Sequence, residues 1–204
     1  MIHIFRKGTD ESLPTLVLFH GTGGNEHDLL PLAGLLAPGA SVLGIRGNVL
    51  ENGMPRYFRR LAEGIFDEED LVFRTHEVKQ FLDEAAVKYG FDSGNLVAVG
   101  YSNGANIAGS LLFHYGGIFR LAVLLHPMVP LRGLSLPSLK ATAVFIGAGT
   151  NDPIIRTEET EELDSLLREA GAEVTVHWGN QGHRLSSAEA EAARDWLNIN
   201  FRQA

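Results

Sequence analysis

Ser102 is the residue of this sequence best placed to act as a nucleophile. It stands in Gly100-Tyr101-Ser102-Asn103-Gly104, a G-x-S-x-G run between the apolar stretch Leu96 to Val99 and the helix-forming Ala105-Asn106-Ile107-Ala108. A serine on such a cramped strand-to-helix turn has its hydroxyl lifted clear of the backbone and a helix N-terminus aimed at it. Two glycines in a tight turn would explain the pattern as well, but the flanking elements favour a nucleophile. A serine hydroxyl needs a base to take its proton, and the base needs an acid to orient it. On this kind of turn the partners follow in the order serine, acid, histidine. Asp152 lies just past the strand-like Ala143 to Ile146 and is followed by the stiffening Pro153. His183 follows Gly179-Asn180-Gln181-Gly182 and comes just before the last helical segment. His126, His177 and His114 compete for the role of base. The first precedes Asp152, the second falls inside a strand, and the third falls in the helix after the nucleophile.

An acyl-transfer site also needs donors for the developing oxyanion. The strand Leu16 to Phe19 runs into His20-Gly21-Thr22-Gly23-Gly24, so the N–H groups of Thr22 and Asn103 are the expected oxyanion hole. A phosphate loop is the other reading of a glycine-rich turn, but the run has neither G-x-G-x-x-G nor a P-loop lysine. His20 is expected to pack this loop. Met54, Tyr57, Phe58, Met128 and Val129 are expected to wall an acyl or aromatic pocket, unless they merely pack the long connection 46–60. Arg56, Arg59 and Arg60 read as a surface cluster, or as an anchor for an acidic substrate. No metal and no organic cofactor is called for.

Positioning these groups takes strands that end at a common edge. Near-continuous apolar runs (Thr15 to Phe19, Ser41 to Ile45, Leu96 to Val99, Leu121 to Leu125, Ala143 to Ile146, Glu173 to His177) alternate with helix-period segments. That alternation predicts an α/β fold: a mostly parallel, doubly wound sheet flanked by helices, forming a single domain over 1–204 with no cap domain. Leu29, Leu32, Ala33 and Leu36 share one helix face, and Leu71, Val78, Leu82, Ala85 and Tyr89 mark a longer helix ending near Gly90. Ser186 and Glu189 have capping-box spacing, with Leu185 and Ala190 as a hydrophobic staple. Ala188, Ala192, Trp196 and Ile199 are the expected buried face of that last helix.

The chain has 204 residues, 45% hydrophobic and 21% charged, which is ordinary globular usage. A net charge of −8 repels phosphate backbones and speaks against nucleic acid as a partner. The acids gather in Asp67 to Asp70 and Glu158 to Asp164, read as solvated helix faces. The absence of cysteine excludes disulfides, thiolate catalysis and zinc–sulfur sites. The first residues alternate like a strand rather than forming a signal peptide. No apolar run reaches the roughly 20 residues of a membrane span. A cytoplasmic protein without a membrane partner is expected.

Taken together, His20 to Gly24, Gly100 to Gly104, Asp152-Pro153 and Gly182-His183 resemble the phospholipase/carboxylesterase family of α/β-hydrolases over nearly the whole chain. The stretches 46–53 and 56–60 and His126-Pro127-Met128-Val129-Pro130 resemble its bacterial carboxylesterase branch, related to dienelactone hydrolases and to hydrolases of hydroquinone stress. Dienelactone hydrolases proper use cysteine where this chain has Ser102. The resemblance implies the α/β-hydrolase fold and a serine esterase for small carboxylic esters, working through an acyl-enzyme; homodimers are common in the family. The same triad would serve a thioesterase or a lactone hydrolase. A silent binding protein on this fold is the remaining reading.

Overall fold

The computed structural model describes residues 1–201. In chain order the elements are β1 (His3–Arg6), β2 (Thr15–Phe19), α1 (Leu30–Leu36), β3 (Val42–Ile45), β4 (Val49–Glu51), β5 (Met54–Arg56), β6 (Arg60–Ala62) and β7 (Ile65–Phe66). They continue with α2 (Glu68–Tyr89), β8 (Leu96–Tyr101), α3 (Asn103–His114), β9 (Leu121–Leu125), β10 (Ala143–Gly149), α4 (Thr157–Glu169), β11 (Glu173–Gly179) and α5 (Ser187–Phe201).

Seven strands form one sheet in the order β1-β3-β2-β8-β9-β10-β11. β1 runs antiparallel to β3 and every other pairing is parallel. The central strands are buried on both faces, and their period of two sorts side chains between two cores. Val17 and Phe19 join Leu71, Leu82, Ile107, Leu111 and Leu163 on one side. Leu16 and Leu18 join Leu32, Leu36, Ala193 and Leu197 on the other. Helices α2, α3 and α4 therefore cover one face and α1 and α5 the other. This is the α/β-hydrolase architecture. Among the described residues no helical cap is inserted, and no helix is long and apolar enough to cross a membrane.

The strand order reverses between β2 and β8, whose ends are in register with Phe19 opposite Gly100. Crevices beyond carboxyl strand ends at such a switch point are where open α/β sheets hold ligands. The loops after β2 and β8 thus meet, and those after β9, β10 and β11 follow along the same edge.

Four expectations change. The connection 46–60 is not a plain loop: β4 and β5 form a hairpin within it, and β6 and β7 form a second that starts at its last residue, Arg60. Asn52 and Gly53, at φ 51° and 79°, make the two-residue turn of the first, a conformation Asn-Gly favours because both residues need positive φ. In α5 the buried residues are Glu189, Ala190, Ala193 and Leu197, while Ile199 is exposed, so the predicted face is rotated by about one residue. Glu189 uses only half of the capping box. Ser186 Oγ accepts from its N–H at 3.1 Å, but its carboxylate turns into the protein. Asp70 is not on a solvated face either. It is buried and accepts from the Arg59 N–H at 2.7 Å, while Asp67 caps α2 by accepting from the Asp70 N–H.

Candidate active site

Ser102 links β8 to α3 with φ 52° and ψ −115°, a backbone region that an L-residue occupies only under constraint. The constraint is close packing. A Cβ on Gly104 would lie 2.0 Å from the Phe19 carbonyl oxygen, so α3 enters against β2 with no room for a side chain. The Ser102 N–H donates to the Leu125 carbonyl at 2.8 Å, tying the turn to the end of β9.

The Ser102 hydroxyl donates to His183 Nε2 at 2.8 Å, and His183 Nδ1–H donates to Asp152 Oδ2 at 2.7 Å. The loops after β10 and β11 bring these together. Asn151 Oδ1 accepts from the Gly182 N–H at 2.9 Å, and the Tyr101 hydroxyl donates to the His183 carbonyl at 2.7 Å. The other oxygen of Asp152 accepts from the Ile154 and Ile155 N–H groups at 2.8 and 3.1 Å. Burial alone would raise the Asp152 pKa. These two donors and His183 outweigh it and hold the carboxyl below the usual range. The structure thus brings together the three residues singled out in the sequence, from loops 50 and 31 positions apart.

Thr22 and Asn103 flank the same cleft as Ser102. Among the described residues neither of their N–H groups donates to another part of the chain. Asn103 opens α3, where N–H groups have no intrahelical acceptor. The Thr22 loop is braced from below. The Arg56 guanidinium donates to Thr22 Oγ1 at 2.9 Å and to the Phe58 carbonyl at 3.3 Å. Asn103 Oδ1 accepts from the Tyr57 N–H at 2.8 Å. His20 packs the loop as expected. Its Nε2 accepts from the Gly47 N–H, which leaves Nδ1–H to donate to the Gly21 carbonyl, and burial pushes its pKa down.

The cleft over Ser102 holds about 260 Å³. Met128 lines it, with Phe66 and Ile154 adding apolar wall and Arg56 and Arg60 a cationic side. Four expected wall residues are elsewhere, and three of them, Tyr57, Phe58 and Val129, are buried in the core. The Tyr57 hydroxyl is spent on the Ile45 carbonyl and the His20 N–H. Met54 is exposed beside Gly23, outside the cleft. Arg56 is only 4% exposed, so the surface reading fails for it. It holds for Arg59, which pairs with Asp67. A larger hollow of about 410 Å³, against Lys79, His114 and Ile118, contains none of Ser102, Asp152 and His183.

Sequence reasoning set His126 aside and read Glu189 as a cap. The structure puts His126 against Asp152, with Nδ1 3.1 Å from Oδ2, and Glu189 behind His126, with Oε2 3.3 Å from Nε2. The pairing spans 63 positions, and no local pattern marks it. His126, Asp152 and His183 also offer three atoms within 4.8 Å of one another that could ligate a metal. The 2.7 and 3.1 Å contacts to Asp152 suit N–H donors rather than a shared ion.

The model of the dienelactone hydrolase family matches residues 57–196. A putative hydrolase of Bacillus subtilis (strain 168), MhqD, is 57% identical over 196 residues, covering 96% of this chain and 97% of the relative. A Bacillus cereus carboxylesterase structure is 63% identical with a TM-score of 0.96, covering 97% of this chain and 93% of the other. A carboxylesterase from Mesorhizobium loti is 32% identical with a TM-score of 0.88, covering 94% and 90%.

Proposed function

This chain belongs to the dienelactone hydrolase family, and from that premise we propose that it is a serine carboxylesterase cleaving small carboxylic esters through Ser102, His183 and Asp152. One observation carries the reading: the unbroken chain from Ser102 Oγ through both ring nitrogens of His183 to Asp152, at 2.8 and 2.7 Å, on a strained turn facing an open cleft. The 63% identity to a carboxylesterase supports the ester as the bond broken.

In this mechanism Ser102 Oγ bonds to the acyl carbon while its proton passes to His183 Nε2. The carbonyl electron pair moves to oxygen, where the Thr22 and Asn103 N–H groups receive it. Collapse of this adduct breaks the bond to the alcohol, which leaves with the proton from His183. Water then repeats the sequence on the acyl-enzyme, with His183 again as base, and the acid departs. Asp152 keeps its charge throughout and fixes the ring in the tautomer with Nδ1 protonated.

The family's name favours a second substrate for the same steps, a lactone, in which the leaving alcohol stays tethered to the acid. A thioester would need no other residues. Intact-protein mass after a fluorophosphonate, with p-nitrophenyl acetate turnover alongside, tests the site. One adduct on wild type, lost with turnover in Ser102→Ala, is expected. Absence of both on folded wild type would sink the reading. Matched ester, thioester and lactone substrates then rank the bonds.

A further inference from the structure

Behind the triad lies a second buried pair that the mechanism above does not use. His126 follows β9 at φ 53°, anchored by its N–H to the Gly147 carbonyl at 2.7 Å. Its ring is 3% exposed, and Nδ1 reaches the same Oδ2 of Asp152 that holds His183. With Ile154 and Ile155 on Oδ1, the carboxylate of Asp152 has four donors around it and no remaining freedom to rotate. On the far side, Nε2 faces Glu189 Oε2 at 3.3 Å, with Glu189 equally buried. Two lone pairs cannot face each other there without a proton between them.

The surroundings decide where that proton resides. The groups facing His126 are Tyr101 from β8, at 6.0 Å and perpendicular, Asp152 and His183 from the loops after β10 and β11, and Glu189 from α5. Glu189 lies in the first turn of α5, beside the positive end of the helix dipole. Asp152, 3.1 Å from the ring, favours a cation. Burial pushes the His126 pKa down, but the two flanking carboxylates reverse that and leave it raised. The fold also makes room for the pair. Glu189 Oε1 sits 2.0 Å from where a Cβ on Gly147 would be, and it is buried without a hydrogen-bond partner. That cost is hard to explain for a helix cap, whose carboxylate would face solvent.

We propose that His126 and Glu189 are positioning residues of the esterase triad, a buried imidazolium–carboxylate pair that locks Asp152 and holds the acid limb of the activity at lower pH. The inference rests on the esterase reading. Its logic is electrostatic. The His126 ring centre lies 5.1 Å from that of His183, with Glu189 beyond it, so His183 feels the cation more than the anion. A positive charge on that side disfavours protonating the base and keeps it competent in mildly acidic solution.

The test is the pH profile of kcat/KM on p-nitrophenyl acetate for wild type and the double variant His126→Asn with Glu189→Gln. Asparagine tolerates positive φ, and its amide sits where Nδ1 was, so the donor to Asp152 survives and only the charges go. The acid limb should rise by about half to one pH unit, the difference between a charge roughly 5 Å away and its counter-charge a few ångströms farther at an effective dielectric near 20. The alkaline plateau should stay within about tenfold of wild type. A limb unmoved to within about 0.2 unit, or turnover lost at every pH in a folded variant, would overturn the proposal and leave the pair as scaffold. If the double variant fails to fold, imidazole ¹⁵N NMR of wild type decides. Both nitrogens of His126 protonated at pH 7 supports the pair, and a neutral ring overturns it. Loss of wild-type turnover or of Ser102 dependence would instead overturn the esterase reading.

Discussion

Asp152 shows how much one buried carboxylate does at this site. Its oxygens accept from two backbone N–H groups and two imidazoles, so it fixes the His183 ring and braces its own loop. Asp152→Asn would offer an amide where His183 needs an acceptor and favour the wrong tautomer. Turnover of p-nitrophenyl acetate should fall by about 10³- to 10⁴-fold, with circular dichroism unchanged. The same residue makes a pH prediction. Its folded pKa lies below the ordinary value, so its ionisation stabilises the fold above about pH 4 and loses that effect as pH falls through the folded pKa. The urea-unfolding gap between wild type and Asp152→Asn should therefore be largest near neutrality and shrink below about pH 4. In the proposed mechanism Arg56 acts through the Thr22 loop. Arg56→Met removes the donor to Thr22 Oγ1 and should lower kcat about tenfold, a fraction of the loss expected when an oxyanion donor itself is removed.

The elements hold their positions through close approach as much as through apolar burial. At Gly104 the neighbour is backbone of β2, which cannot swing aside, with the His20 carbonyl 2.5 Å from the built Cβ. Gly104→Ala should cost at least about 2 kcal/mol by overpacking, lowering Tm by several degrees. In α1, Gly34 is exposed and an added Cβ meets nothing within 4 Å. Gly34→Ala should instead stabilise by about 0.5–1 kcal/mol. Thermal melts of the two variants in parallel check both signs. The central strands were legible because burial on both faces leaves an apolar run with few breaks. The paired hairpins β4–β5 and β6–β7 were not, since each strand has only two or three residues and no room to show a period. Asn52-Gly53 was the one local signal there.

For the whole molecule, the esterase reading makes the size and open mouth of the cleft the expected limit on the acyl group. A volume of about 260 Å³ with Met128, Phe66 and Ile154 as apolar wall accommodates a short acyl group but leaves a long one in water. The kcat/KM for p-nitrophenyl butyrate should exceed that for the sixteen-carbon palmitate by about tenfold or more, because methylenes outside the cleft gain no burial. Comparable values would mean that a longer apolar surface takes part.

What the sequence determined by itself is whatever depends on near neighbours along the chain. Near-continuous apolar runs, the glycines that let Ser102 turn, and the strand ends that carry Asp152 and His183 are each written within a few residues of where they act. Only the tertiary structure could decide which way a loop side chain faces once several strand ends converge. Tyr57 and Phe58 went to the core and Arg56 to the cleft, because the chain leaving β5 is pinned there by the Tyr57 N–H on Asn103 Oδ1 and the Tyr57 hydroxyl on the Ile45 carbonyl. Glu189 turned inward because Gly147, 42 positions away, leaves the space its carboxylate fills. Packing at that distance along the chain is set by the sum of all contacts, and no local spacing encodes it.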